Sequence, residues 1–168
     1  MPKPRLWPRY VAELIVAAGR GSRTGGDLPK QWQMLAGRRV VEHTIAAFRA
    51  LPQITQIVLV LHPNDFTRAA DLAAPDVTLV PGGADRAASV RAGLAAVRGA
   101  DKVLIHDAAR PCVSARVVLD VIAALDTCAA AAPGLPITDA LWHGADNTVT
   151  GTQDRAGLFA AQTPQGFD

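Results

Sequence analysis

Short apolar runs of strand character alternate along this chain with stretches whose apolar residues recur at helical spacing, and no other feature limits the fold as much. Val11–Ala17 is mostly apolar and free of Pro and Gly, Ile54–Leu61 is rich in β-branched residues, and residues 77–80 and 102–105 are shorter runs of the same kind. Between them, Val41, Ile45, Phe48 and Leu51 share one helical face that Pro52 closes, and Asn64 or Asp65 is placed to cap a short helix through Phe66, Ala69 and Leu72. Val90, Leu94 and Val97 mark the inner face of a helix over 85–98 that Gly99 ends, and Ser114 caps another whose inward residues are Val117, Val118, Val121, Ile122 and Leu125. Residues 128–132 read as a fifth strand of small residues. Such alternation is the mark of right-handed βαβ units. It predicts one α/β domain over residues 1–168, a Rossmann-like and mostly parallel sheet with helices on both faces.

The first strand empties into a loop of small, basic and glycine residues. Gly19, Gly21, Gly25 and Gly26 lack a Cβ, so backbone N–H groups there can come close to an anion. Arg20, Arg23, Lys30, Arg38 and Arg39 stand against Asp27 alone between positions 20 and 39. Thr24 occupies the position where a dinucleotide fingerprint needs Gly or Ala, and no Gly-Lys-Ser/Thr of a Walker loop occurs. What remains, Gly19, Gly21 and Arg23 followed by Pro29-Lys30, suits a triphosphate approached by cations. On glycine spacing alone, a flexible basic loop fits equally well.

Composition narrows the class. A chain of 168 residues, 49% of them hydrophobic, is long enough for a real core, and a net charge of +2 is too small for a general nucleic-acid binder. Cys112 and Cys128 have neither C-x-x-C spacing nor a His cluster, so they read as reduced, buried thiols. The basic, proline-rich start leads into an apolar run broken by Glu13, unlike a signal peptide, and no window reaches the roughly 20 apolar residues of a membrane span. A cytoplasmic protein without membrane or nucleic-acid partners is expected. Over 133–151 the core pattern lapses, and residues 137–142 and 148–150 are set to pair as a protruding β-arm across Gly144, Ala145, Asp146 and Asn147. A two-stranded ribbon has little core of its own, so it must lean on the domain or on a second subunit.

Ligands of open α/β sheets collect beyond the carboxyl ends of the strands. Here those ends deliver residues 19–30, His62-Pro63-Asn64, residues 82–86 and residues 106–110 to one rim. Asp107 is the one carboxylate directly at a strong strand end, and a single Asp facing a phosphate loop suits Mg²⁺, although it equally suits a carboxylate capping its own turn. Arg86 and Ser89 fall on the first turn of a helix, where orphan N–H groups favour anions, and Arg110 is fixed by Pro111. A surface ion pair and a helix-turn serine are the plain alternatives. His43 and His143 read as structural or exposed; His62 and His106 lie at strand ends with no Ser or Cys nucleophile paired to them.

Four motifs in order, AAGRGSR with PKQ, PGGADRAASVRAGL, HDAARPCVS and QDRAGLFAAQTPQGF, closely resemble those of the 2-C-methyl-D-erythritol 4-phosphate cytidylyltransferases of non-mevalonate isoprenoid synthesis, from about Ala12 to the last residue. The resemblance implies the nucleotide-diphospho-sugar transferase type of fold, and a reaction of CTP with methylerythritol phosphate giving CDP-methylerythritol and pyrophosphate. It further implies Mg²⁺ and a homodimer whose 133–151 arms interlock. By position, Arg23 and Lys30 match the basic pair on the triphosphate, and Ala18, Gly19, Gly83 and Ser89 match the cytosine pocket, with Gly21 in the nucleotide loop and Arg86 beside the base. Asp107 matches the metal and ribose residue, Arg110 and Thr163 the substrate side, and Arg155 an arginine that reaches the sugar phosphate of the neighbouring subunit.

Three departures accompany the match. Ala84, with Asp85 next, stands where the family commonly has Asp, which leaves open how the cytosine amino group is read. Asp139-Ala140 replaces an Asp-Thr of the arm. The chain ends at Asp168, before the family's last sheet and helix elements, so less than full activity is expected of these residues alone. A cytidylyltransferase for another polyol phosphate, such as ribitol 5-phosphate, and an inactive CTP-binding remnant are the competing readings.

Overall fold

The computed structural model describes residues 10–20 and 28–168. Strand β1 is Val11–Ala17, followed by a two-strand ribbon of β2 (Met34–Leu35) and β3 (Arg38–Arg39) and by helix α1 (Val40–Arg49). Strand β4 (Ile54–Leu61), the one-turn helix α2 (Phe66–Ala69), β5 (Val77–Pro81), α3 (Arg86–Ala96), β6 (Lys102–Asp107) and α4 (Ala115–Ala124) come next. The remainder is strand only: β7 (Ala130–Ala131), β8 (Gly134–Pro136), β9 (Leu141–Ala145), β10 (Thr148–Gln153), β11 (Phe159–Ala161) and β12 (Gln165–Phe167).

The main sheet runs β5-β4-β1-β6-β12-β7. Its first four strands are parallel, while β12 enters antiparallel between β6 and β7. Strand order reverses beside β1, because α1 leads from β1 to β4 on one side and α3 carries the chain back to β6 on the other. This reversal opens the crevice at the carboxyl ends of β1 and β6.

Alternate residues of the strands feed two cores. On one face Ile15, Leu59 and Leu104 pack with Val41, Ile45 and Phe48 of α1 and Val118, Val121 and Leu125 of α4; on the other, Leu14, Val58, Val60 and Ile105 take Val90 of α3. The expected doubly covered, mainly parallel sheet is therefore present.

Several local expectations change. Leu94 is exposed, and α3 buries Ser89 and Gly93 instead. A Cβ on Gly93 would come within 2.5 Å of a Leu14 methyl, so the missing side chain lets the helix lie against the sheet. The fifth strand shrinks to Ala130–Ala131 and pairs with β12 rather than β6. In the arm, β9 begins at Leu141 and runs through Gly144, with Asp146 and Asn147 both at positive φ in a two-residue turn. Asp65 stands at the N-cap of α2 as expected but makes no side-chain capping bond there, and the turn before it is capped by His62, whose ring nitrogen accepts from Asn64 N–H. Both cysteines are free but exposed, since they lie in the loop after Pro111 and the turn after α4 rather than on a core face. Among the described residues no helix is long and apolar enough to cross a membrane.

Candidate active site

An open cleft of about 830 Å³ lies over the carboxyl ends of β1, β4, β5 and β6. Its volume is in the range that holds a nucleotide-sized ligand. Ala18, Gly19, Arg20, Lys30, Gln31 and His62 line it on the β1 and β4 side; Gly83, Arg86 and Ser89 come from β5 and α3, and Asp107 and Arg110 from the end of β6. The structure thus brings together Ala18, Gly19, Lys30, Gly83, Arg86, Ser89, Asp107 and Arg110. Gly21 and Arg23, with the rest of residues 21–27, lie outside the described residues.

Local chemistry holds each wall. Gln31, in the single helical turn after Pro29, donates from one amide nitrogen to the Ala17 carbonyl at 2.7 Å and the Gly19 carbonyl at 2.9 Å. It satisfies backbone acceptors that β1 leaves unpaired as it exits the sheet, and sets Lys30 at the rim. Opposite, Gly82 N–H bonds the Leu61 carbonyl at 2.7 Å, and Ser89 Oγ, buried, accepts from Gly83 N–H at 3.1 Å. A Cβ on Gly82 would fall 2.7 Å from that of Ala18, and one on Gly83 only 2.4 Å from that of Ala88. The double glycine is thus a steric requirement. Backbone rather than side chain therefore forms this part of the wall, a slot of the cleft lined by Ala18, Gly83 and Ser89. Asp85 also lines the cleft, and one oxygen of its carboxylate caps α3, accepting from Ala88 N–H at 2.7 Å.

At the end of β6, Asp107 accepts from Arg86 at 2.6 Å on one oxygen and from Arg110 Nε at 3.1 Å on the other. Arg110 also donates to Gln162 at 2.7 Å. His106 is buried, and desolvation lowers its pKa, with the Arg110 carbonyl opposing. A carbonyl only accepts, so Nε2–H donates to Arg110 O at 3.0 Å and Nδ1 accepts from the Thr163 hydroxyl at 2.9 Å. Neutral His106 therefore ties Thr163 to the Asp107–Arg110 turn, a link no spacing in the sequence announces. Arg155 does not line the cleft; it is exposed and donates to the Thr138 carbonyl.

Two acceptor positions on the Asp107 carboxylate are taken by arginines, out of the roughly four that an ionised carboxylate offers. Among the described residues no group of three or more His, Cys, Asp or Glu is gathered to cage a metal. This donor set fits a cation that arrives largely ligated by phosphate and water, as Mg²⁺ does.

A family model described as IspD, 2-C-methyl-D-erythritol 4-phosphate cytidylyltransferase, matches residues 11–168. The chain is 61% identical over 159 residues to a bifunctional enzyme IspD/IspF of Ruegeria pomeroyi, covering 94% of this chain and 42% of that one. It is 56% identical over 162 residues to a 2-C-methyl-D-erythritol 4-phosphate cytidylyltransferase of Cereibacter sphaeroides, covering 94% and 72%. Among solved structures, 4-diphosphocytidyl-2C-methyl-D-erythritol synthase from Anaerococcus prevotii superposes with TM-score 0.81 at 28% identity, covering 96% of this chain and 72% of that one. The Thermus thermophilus cytidylyltransferase gives 0.74 at 34% identity, covering 94% and 70%.

Proposed function

The chain belongs to the 2-C-methyl-D-erythritol 4-phosphate cytidylyltransferase family, and from that premise we propose that its cleft joins CTP to 2-C-methyl-D-erythritol 4-phosphate. A phosphate oxygen of the acceptor forms the new bond to the α-phosphorus of CTP, the bond to the β-phosphate breaks, and CDP-methylerythritol and pyrophosphate leave. The observation that carries this reading is the juxtaposition across one cleft of Lys30 on the β1 side, the Gly83–Ser89 slot, and the Asp107–Arg110 turn.

Cytosine sits in the slot of Ala18, Gly19, Gly83 and Ser89, and Arg86 stands beside it. Lys30, with Arg23 of the preceding loop, neutralises the negative charge that builds on the phosphoryl oxygens, which is where most of the catalysis in such transfers originates. Asp107 is the residue to hold Mg²⁺, which when bound shields the triphosphate charge. Arg110 and Thr163 face the acceptor, and the His106 bridge keeps them in register. Arg155 serves the acceptor phosphate of a neighbouring subunit in a homodimer formed through the arm, and the enzyme works in the cytoplasm.

Pyrophosphate release tests the reading. It is expected with CTP plus methylerythritol phosphate and not with ATP, nor with ribitol 5-phosphate as acceptor. Release that follows ribitol 5-phosphate instead would move the acceptor assignment, and CTP binding without release from any pair would make the chain a binding protein only.

A further inference from the structure

Arg20 is a cation of the cleft that the catalytic assignment leaves without a task. Its side chain is 43% exposed and lines the cleft beside Lys30 and Gln31. It is nonetheless held. Nη2 donates to His62 Nδ1 at 2.8 Å, and Nη1 lies 3.5 Å from Asp65 Oδ1. An arginine is always a donor, so His62 Nδ1 is the acceptor, as it also is for Asn64 N–H at 3.1 Å. Asp65 is buried, and its other oxygen accepts from Trp32 Nε1–H at 3.0 Å. A buried carboxylate fixed by an indole and a ring nitrogen thus hold this guanidinium in place at the wall of the cleft.

Charge accounting gives those groups a partner. Arg86 and Arg110 share Asp107, whereas Asp65 is shared by Arg20 and Arg68, the latter at 3.6 Å. Among the described residues, one buried carboxylate between two arginines leaves positive charge in excess beside Lys30, and a planar guanidinium whose donors are not all taken there is suited to phosphate oxygens.

We propose that Arg20 is a further binding residue for the polyphosphate of the nucleotide, aimed by His62 and Asp65 as positioning residues. The inference rests on the cleft being the CTP site, and it concerns a side chain that the carried-over catalytic set does not contain.

Titration calorimetry in Mg²⁺-containing buffer tests it, using CTP, pyrophosphate and cytidine as separate probes. Arg20→Ala is expected to weaken CTP and pyrophosphate about tenfold, as for loss of one hydrogen bond to a charged group, and to leave cytidine unchanged. Arg20→Lys keeps the charge with fewer donors and gives a smaller loss. His62→Ala alone weakens pyrophosphate, but adds nothing in the Arg20→Ala background, which separates aiming from a general structural effect. Unchanged pyrophosphate affinity in Arg20→Ala, or a parallel loss for cytidine, overturns the assignment. Absence of CTP binding in the unaltered protein would overturn the cleft reading itself.

Discussion

Glu13 shows how far a single residue can depart from what its neighbours lead one to expect. It sits in β1 between Ile57 and Leu104, fully buried, and neither carboxylate oxygen has a hydrogen-bond partner among the described residues. Burial pushes its pKa well above the ordinary 4.5, so the native state holds it as the neutral acid. The unfolded chain gives up that proton at lower pH. From about pH 4.5 upward, unfolding therefore releases a proton, and stability falls as pH rises towards the native pKa. Glu13→Leu is expected to stabilise by about 1–3 kcal/mol at pH 8 and by less at pH 4, read by denaturant unfolding at both. An equal gain at both pH values would mean that Glu13 is not protonated in the fold. In the cleft, Lys30→Ala is expected to cut turnover by about 10²-fold, as for loss of one charge-stabilising group, with a smaller effect on CTP affinity; a change confined to affinity would make Lys30 a holder of ligand only. That Lys30 and Asp107 would line one cleft was legible in the sequence, because an apolar run betrays the strand before the Lys30 loop and the strand that Asp107 ends. Gln31 and His106 were not, since what they do depends on carbonyls of Ala17, Gly19 and Arg110 whose exposure is known only once the strands are placed.

At the level of elements, periodicity located β1, β4, β6, α1 and α4, whose buried apolar residues are among those the spacing picks out, although Glu13, Thr44, Lys102 and His106 are buried beside them. It located α3 too, where Val90 and Val97 pack against the core, but not the burial of Ser89 and Gly93 in place of Leu94. It gave no sign of β12, which is three residues long with a glycine at its centre. A Cβ on Gly166 would meet Val121 and Leu125 of α4 within 3.0 Å, so this strand exists by fitting under a helix rather than by propensity. Gly93→Ala is expected to cost about 1–3 kcal/mol of stability through overpacking against Leu14 and Val60, although alanine is the better helix former. Thermal unfolding checks it. A rise in Tm would show that α3 can move off the sheet freely.

For the whole molecule, the distribution of exposed apolar side chains is uneven. Apart from Met34 in β2, the described large apolar side chains that are more than half exposed, Leu135, Trp142, Val149 and Phe159, all lie in or beside the arm, where a lone ribbon buries little. Trp142→Asp is expected to convert a dimer into monomers by sedimentation velocity while leaving the unfolding midpoint of the domain nearly unchanged; a monomeric unaltered protein would refute the arm as an interface. If Arg155 serves the site of a neighbouring subunit as proposed, mixing Arg155→Ala with Lys30→Ala subunits is expected to raise turnover above that of either variant alone, since one hybrid site would hold both residues; no rise would confine each site to one subunit. The most direct test is a crystal structure with CTP and Mg²⁺. Cytosine is expected in the slot between Ala18 and Ser89, the triphosphate against Lys30 and the metal on Asp107. CTP bound anywhere but over the carboxyl ends of β1 and β6, or a cleft left empty at saturating CTP, would contradict it.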